Sequence, residues 1–164
     1  MFTDSQIRNF LELSLVEAEK ALNDGNYPIG SLVVDQNGEV ISTQRNQCSN
    51  QNDVTAHAEV LNLREIGMSS PDNLSIFTSL EPCFGCSFFI ARSKVVKIYS
   101  ALKDPHKGGI GDLKSQAQFE NFFADVELIN EPFADLAEKS RNLMRDYFIK
   151  IGKLDKAKFY GYVG

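Results

Sequence analysis

Two short runs decide how this chain is read: Thr55-Ala56-His57-Ala58-Glu59 and Glu81-Pro82-Cys83-Phe84-Gly85-Cys86. Each lies where one pattern gives way to another. The second follows Leu74–Leu80, an apolar run with strand character, and its Pro82 favours the start of a helix over Cys83–Ala91. The first opens a helical periodicity over Ala56–Ile66, with Thr55 as the expected N-cap, His57 in the first turn and Gly67 as the stop. Strand and helix alternate here, as they do in α/β proteins, and one His and two Cys fall at two helix N-termini.

His57, Cys83 and Cys86 supply three nitrogen or sulfur ligands. That is one short of the tetrahedral set that zinc takes, so the trio reads as a zinc site with a position left for water. A helix N-terminus and a nearby cation both lower a cysteine pKa, so both sulfurs are expected as thiolates. Two thiolates and a neutral imidazole balance Zn²⁺ and bring the pKa of water held there toward ~7. Glu59, two residues after His57, is placed to carry that proton without being a ligand. A purely structural zinc site is normally closed by four ligands and has no use for such an acid.

Outward from the two runs, Asp4 or Ser5 caps a helix whose apolar face is Ile7, Phe10, Leu11, Leu15, Ala18, Ala21 and Leu22, ending at Gly25. Ile29–Val34, the turn Asp35-Gln36-Asn37-Gly38 and Glu39–Arg45 read as a β-hairpin. Asn46–Val54 is polar, without periodicity, and reads as a loop. Val95–Ser100 is a strand, Ala101–Gly111 a glycine-rich loop, Ser115–Phe123 a helix, Val126–Asn130 a short strand and Pro132–Ile151 a final helix. The order α-β-β-α-β-α-β-α-β-α implies a three-layer α/β/α sandwich around a mixed five-stranded sheet, in one domain over residues 1–164.

Hydrophobic residues make up 43% and charged residues 24% of the chain, the range of an ordinary folded domain. No run approaches a membrane span, and Met1-Phe2-Thr3-Asp4 lacks the basic and apolar regions of a signal peptide, so a cytoplasmic location is expected. Three cysteines, two of them spaced Cys-x-x-Cys, favour metal over disulfide in a reducing compartment. The net charge of −5 is unevenly spread. Residues 92–114 hold six bases (Arg92, Lys94, Lys97, Lys103, Lys107, Lys114) against two acids, and residues 139–164 hold seven (Lys139, Arg141, Arg145, Lys150, Lys153, Lys156, Lys158) against Asp146 and Asp155. Each block either presents a solvated helix face or attracts phosphate.

The His-Ala-Glu and Pro-Cys-Phe-Gly-Cys runs together resemble the zinc-dependent cytidine deaminase superfamily. Within it, Tyr27-Pro28-Ile29-Gly30, Asn46, Thr55–Glu59, Ser79–Cys86 and Asp104-Pro105-His106-Lys107-Gly108-Gly109 with Gly111 resemble the tRNA wobble adenosine deaminases and their guanine and fungal cytosine deaminase relatives, over roughly residues 5–150. The resemblance implies hydrolytic deamination of a nucleobase with release of ammonia, Zn²⁺ held by His57, Cys83 and Cys86, and Glu59 as proton shuttle. It also implies that Asn46 hydrogen-bonds the base or ribose, that the Ala58 amide contacts the base, and that Pro28 belongs to the substrate site. Relatives are commonly homodimers.

Departures lie at the pocket: Val54 stands where proline is usual, Gly85 where a larger apolar residue is common, Ser87-Phe88-Phe89 where residues are small, and Asp112-Leu113-Lys114 replaces a serine-initiated segment. Core packing accounts for Phe84, Phe88 and Phe89 before base stacking does, with Phe84 a candidate pocket wall. Cys48 reads as a small hydrophobe, with a place in the pocket two residues after Asn46 as the alternative, His106 as a solvated loop residue with a substrate or phosphate contact as the alternative, and Glu81 as a buttress of the site or its loop. Three functions are consistent with these residues: deamination of adenosine in a tRNA anticodon loop, deamination of a free base or nucleoside, and a catalytically idle zinc-stabilised partner subunit.

Overall fold

The computed structural model describes residues 1–106 and 108–164; Lys107, counted above in a basic block and in the Asp104–Gly109 run, lies outside them. Helix α1 (Asp4–Asn23) is capped by Thr3, one residue ahead of the expected Asp4 or Ser5. The Thr3 hydroxyl accepts from the Gln6 amide while the Gln6 side chain accepts from the Thr3 N–H, a reciprocal arrangement that Asp4 would forfeit. Strands β1 (Gly30–Val34) and β2 (Val40–Arg45) form the expected hairpin, with Gly38 at φ 88° in its turn.

Inside the segment expected as a loop, Cys48–Gln51 forms a helical turn, α2. Asn26 fixes it from a distance, its side-chain oxygen accepting from the Ser49 and Asn50 amides. Next come α3 (Ala58–Ile66), β3 (Leu74–Thr78), α4 (Phe84–Ala91) and β4 (Val95–Ser100). The glycine-rich loop then leads into α5 (Ile110–Lys114), β5 (Glu127–Asn130), α6 (Ala134–Lys150) and a short α7 (Leu154–Ala157) that ends in a 3-10 turn, Lys158–Tyr160.

The helix expected over Ser115–Phe123 is not formed, and only Ala117–Phe119 makes a 3-10 turn. The Lys114 ammonium donates to the carbonyls of Phe123 and Val126, curling the segment back so that Phe123 enters the core. The aromatic spacing that suggested a helix serves a tight loop instead.

The five strands are ordered β2-β1-β3-β4-β5, with β1 antiparallel to both β2 and β3, and with β3/β4 and β4/β5 parallel. Side chains alternate across this mixed sheet. Leu32, Val34, Phe77, Tyr99 and Ala101 face α1 and α6, where Phe77 and Tyr99 stack at 4.7 Å and meet Phe10, Leu11, Leu15 and Leu136. Val33, Leu74, Ile76 and Ile98 face α3 and α4, against Val60, Leu63, Cys86 and Ile90. The result is the expected α/β/α sandwich. Each such apolar side chain contributes ~1.5–3 kcal/mol on burial, which puts the fold's stability in these two faces.

At Gly30 the α1 backbone comes so close that a Cβ would lie 2.2 Å from the Ser14 carbonyl, so only glycine fits. A third cluster, with Leu80, Leu102, Ala137, Met144, Tyr147, Phe148, Ala157 and Tyr160, covers the carboxyl ends of β3 and β4. In parallel sheets that end is where ligands bind. Among the described residues no helix is long and apolar enough to cross a membrane.

Candidate active site

Both motif runs arrive at the carboxyl end of the sheet as helix starts. His57 is the N-cap of α3 and Cys83 the N-cap of α4, each in extended backbone and neither using its side chain to cap. Sequence reading put His57 in the first turn, with Thr55 capping. In the structure Thr55 turns away to Asp53, whose Oδ1 accepts its N–H and its hydroxyl at 2.8 and 2.7 Å, and His57 keeps its ring for the site.

The three ligand atoms form a compact triangle. Cys83 Sγ and Cys86 Sγ are 3.6 Å apart, and His57 Nδ1 lies 3.6 Å from the first and 3.4 Å from the second. A tetrahedral Zn²⁺ with bonds of about 2.3 Å to sulfur and 2.0 Å to nitrogen places its ligands about 3.8 Å apart for two sulfurs and about 3.5 Å for sulfur and nitrogen. Every observed edge is within about 0.2 Å of those values, so His57, Cys83 and Cys86 are positioned to bind the metal.

Charge in the triangle is sharply divided. The hydrogen bond from the Cys86 thiol holds Cys83 down to about 3, against the opposing effect of burial, and His57 adds to the lowering. The same bond and burial push Cys86 up. The pair thus shares one proton, and a bound cation in its place would neutralise both thiolates.

Glu59 is 3% exposed, and His57 is the basic group that acts on it. Its Oε2 lies 3.6 Å from Cys86 Sγ and its Oε1 3.2 Å from the Thr78 hydroxyl, so it borders the metal triangle from outside. Burial raises its pKa, and the Cys83 charge raises it further. A buried carboxyl in the core costs several kcal/mol, more than a Thr78 hydrogen bond of ~1 kcal/mol returns, which marks Glu59 as functional and not structural.

The metal triangle forms one wall of a cavity of ≈ 290 Å³. Asn46, Cys48 and Glu59 also line it; Asp104, His106, Phe148 and Tyr160 make its far wall, with the Tyr27 ring against Phe148 at 5.8 Å. Asn46 is buried, with its amide nitrogen 3.5 Å from Cys48 Sγ and its oxygen accepting the Cys48 N–H. Of the other expected substrate residues, Ala58 is fully buried at the start of α3, Pro28 is buried between the lining residues Tyr27 and Ile29, and Phe84 is 50% exposed; none of the three lines the cavity. Cys48 and His106 do line it, the alternative reading of each.

Glu81 is the buttress it was read to be. Its carboxylate accepts the Asp104 amide at 3.3 Å and the Gly111 amide at 2.8 Å, fixing the loop after β4. Tyr160 closes the far wall, donating its hydroxyl to Asp104 Oδ1 at 3.0 Å. Asp104, Met144, Phe148 and Tyr160 were not singled out as site residues; Asp104 stands in a run that carries the resemblance, and no local signal marks the other three.

A water-activating metal triad, a buried proton carrier and a base-sized cavity at the carboxyl end of a mixed sheet define a zinc-dependent hydrolase of the deaminase type. The sequence profile of the cytidine and deoxycytidylate deaminase zinc-binding region matches residues 4–102, more than half of the chain, and the protein belongs to that family. It is a zinc-dependent nucleobase or nucleoside deaminase. The chain is 31% identical over 147 residues to the tRNA-specific adenosine deaminase of Agrobacterium fabrum, covering 85% of this chain and 92% of that one. A solved structure from work on A-to-I editing by tRNA:A34 deaminases is 29% identical, with a TM-score of 0.69, and covers 83% of this chain and 99% of its own. The guanine deaminase of Bacillus subtilis is 30% identical, with a TM-score of 0.53 over 57% of this chain and 62% of that one.

Proposed function

We propose that this protein, a single deaminase domain over residues 1–164, deaminates adenosine to inosine in a tRNA anticodon loop. Zinc, held by His57, Cys83 and Cys86, would supply the Lewis acidity that makes water a nucleophile at neutral pH. Glu59 takes the proton of the attacking water on Oε2, the oxygen beside the metal triangle. It passes protons to the ring nitrogen next to the reacting carbon and then to the departing amine, so that C–NH₂ and water become C=O and ammonia. The Thr78 hydroxyl holds Oε1 and so aims Oε2 through the cycle. Asn46, the Ala58 amide, Pro28 and Phe84 remain the proposed substrate contacts, with Asn46 the one that borders the cavity.

The observation that favours RNA over a free base is the charge of the segment that carries Phe148 and Tyr160. Among the described residues the ion pairs of the C-terminal region are made by Lys139, Arg141 and Arg145. Lys150, Lys153, Lys156 and Lys158 make none, and Lys156 lies 6.0 Å above the Phe148 ring that lines the cavity. Lysines without ion pairs on the segment that carries two cavity-lining rings suit a phosphate chain, and a free base has no phosphate to offer them. A cytoplasmic location follows from that substrate.

Homodimerisation is part of the same reading. Phe84, Phe88 and Phe89 are each about half exposed on α4, beside a groove of ≈ 700 Å³ between α3 and α4. Aromatic surface of this kind is favoured at interfaces.

The test is ammonia release from an anticodon stem-loop, guanine, cytosine and their nucleosides. Turnover of the stem-loop, lost in Glu59→Ala, is the expected result; an untouched stem-loop with turnover of a free base would overturn the RNA reading. Sedimentation of wild type and Phe89→Asp checks the dimer, which the charge should split.

A further inference from the structure

Tyr27 lines the cavity yet takes no part in holding the metal, moving the proton or buttressing a loop. Its hydroxyl meets no hydrogen-bond partner among the described residues. Nor is that oxygen sealed from solvent, as the unpartnered side-chain atoms of Asn26, Ser31, Asn62 and His106 are. A part-buried tyrosine normally finds a partner for its O–H, because burial of the ring takes the polar end out of water. Here the ring is packed and the hydroxyl is left over.

The surroundings of Tyr27 fix it in place. Pro28 follows, which restricts the Tyr27 backbone to extended conformations. Its carbonyl accepts the Ile29 amide at 2.8 Å, and the Ile29 carbonyl accepts the Asn46 amide at 2.8 Å, so Tyr27 is tied through backbone to Asn46. Its ring lies 4.6 Å from Tyr147 and edge-on to Phe148 at 5.8 Å, both on α6, the helix that brings Phe148 to the far wall. We propose that the Tyr27 hydroxyl is a substrate contact that sets specificity, a neutral donor for an acceptor atom on the part of the nucleobase or nucleoside that does not react.

Burial pushes the Tyr27 pKa up, and Cys48 adds to the rise, so the group is a donor across the neutral range. Tyr27 in turn helps to raise the pKa of Tyr160, which puts its hydroxyl within electrostatic reach of cavity residues from both α2 and the C-terminal 3-10 turn. A donor with no bond inside the protein has its whole hydrogen bond to give to substrate. A molecule lacking the acceptor leaves that donor unpaired and is bound less well.

This inference rests on the reading of the cavity as the deaminase site, and it is tested by Tyr27→Phe, which keeps the packed ring and removes the one unpaired oxygen. On the best substrate of the panel above, KM should rise roughly 5–10-fold with kcat within about twofold. Bound zinc and melting temperature should stay at wild-type values, because the hydroxyl has no bond within the protein to lose. Tyr147→Phe removes a phenol one ring away that does not line the cavity, and should leave KM within about twofold. Analogues of that substrate, with a ring nitrogen replaced by C–H, a carbonyl removed or a ribose hydroxyl replaced by hydrogen, then locate the acceptor. One of them should bind less well to wild type and lose nothing further in Tyr27→Phe. An unchanged KM, an equal effect from Tyr147→Phe, or additive losses for every analogue would each overturn the proposal. Should wild type turn over none of the panel, failure lies with the deaminase reading. Equilibrium dialysis against adenosine, guanosine and cytidine then reads the same variants: an affinity unchanged by Tyr27→Phe, or absent in wild type, overturns the role of Tyr27.

Discussion

The two walls of the cavity are built in opposite ways. On the metal wall, four functional side chains come from two short runs, and each run is set by the start of one helix. On the far wall, Asp104 is oriented by Glu81 from 23 residues upstream and by Tyr160 from 56 residues downstream. The first is local and rigid; the second depends on the whole fold being assembled. The difference separates reaction from selection, because residues spaced along one or two helical turns can fix a metal and a proton carrier, whereas the shape that chooses a base is made by tertiary contacts.

The largest effect should come from breaking the metal wall itself. Cys83→Ser is expected to lose bound zinc, read by metal analysis, and to lose turnover to below detection, since a neutral hydroxyl replaces the thiolate. Glu59→Gln should do something narrower. Zinc should remain at one equivalent, because Glu59 is outside the ligand set, while kcat falls about 10²–10⁴-fold for want of a proton carrier. A Glu59→Gln enzyme that lost its zinc as well would show that the two functions of this wall are not separable.

That contrast also explains what could be read in the sequence. The ligands, Glu59 and the five strands were legible because periodicity and spacing are local properties: the strand expected at Val95–Ser100 has those bounds, and the hairpin and final helix differ by a residue or two at their ends. Glu81 was legible as a buttress because it adjoins the motif. Tyr160 was not, since it sits in a lysine-rich tail whose one buried hydroxyl reveals itself only through Asp104. Cys48 and His106 were read as bland because a lone thiol and a loop imidazole usually are, and what brings them to the cavity is the α2 turn pinned by Asn26 and the ring of Phe159. The misplaced helix at Ser115–Phe123 has the same origin: Phe119, Phe122 and Phe123 have helical spacing, but Lys114 decides where they go.

The two walls touch at Gly109, where an intermediate effect is expected. A Cβ there would lie 2.4 Å from the Pro82 carbonyl and 2.9 Å from Glu81 Cγ, and the carbonyl belongs to the residue before the ligand Cys83. Backbone cannot yield as a flexible side chain would, so Gly109→Ala should force the loop away from the metal wall. Overpacking of this kind costs ~1–3 kcal/mol, visible as a lowered melting temperature. KM should rise more than kcat falls if the loop gives way; a loss of zinc would mean that the metal wall had moved instead.

The smallest effect lies in neither wall, and it bounds how far the comparison reaches. Asp35 closes the β1–β2 turn, its Oδ1 accepting the Asn37 and Glu39 amides at 2.8 and 2.9 Å and its Oδ2 the Asn37 side chain at 3.0 Å. Hydrogen bonds from the Glu39 and Asn37 amides hold its pKa below the usual carboxylate value. A carboxyl whose pKa is depressed on folding adds stability above its unfolded value, about 3.9, and that stability is lost as pH falls through the lower folded value. The melting temperature of wild type should therefore drop more steeply below pH 4 than that of Asp35→Asn, with the two curves parallel from pH 5 to 8. Zinc content and KM should be untouched at neutral pH, because the turn lies at the amino end of β2, a strand's length from the cavity. A change in either would mean that the hairpin edge, too, is coupled to the site, and that selection is spread over more of the sheet than the far wall alone.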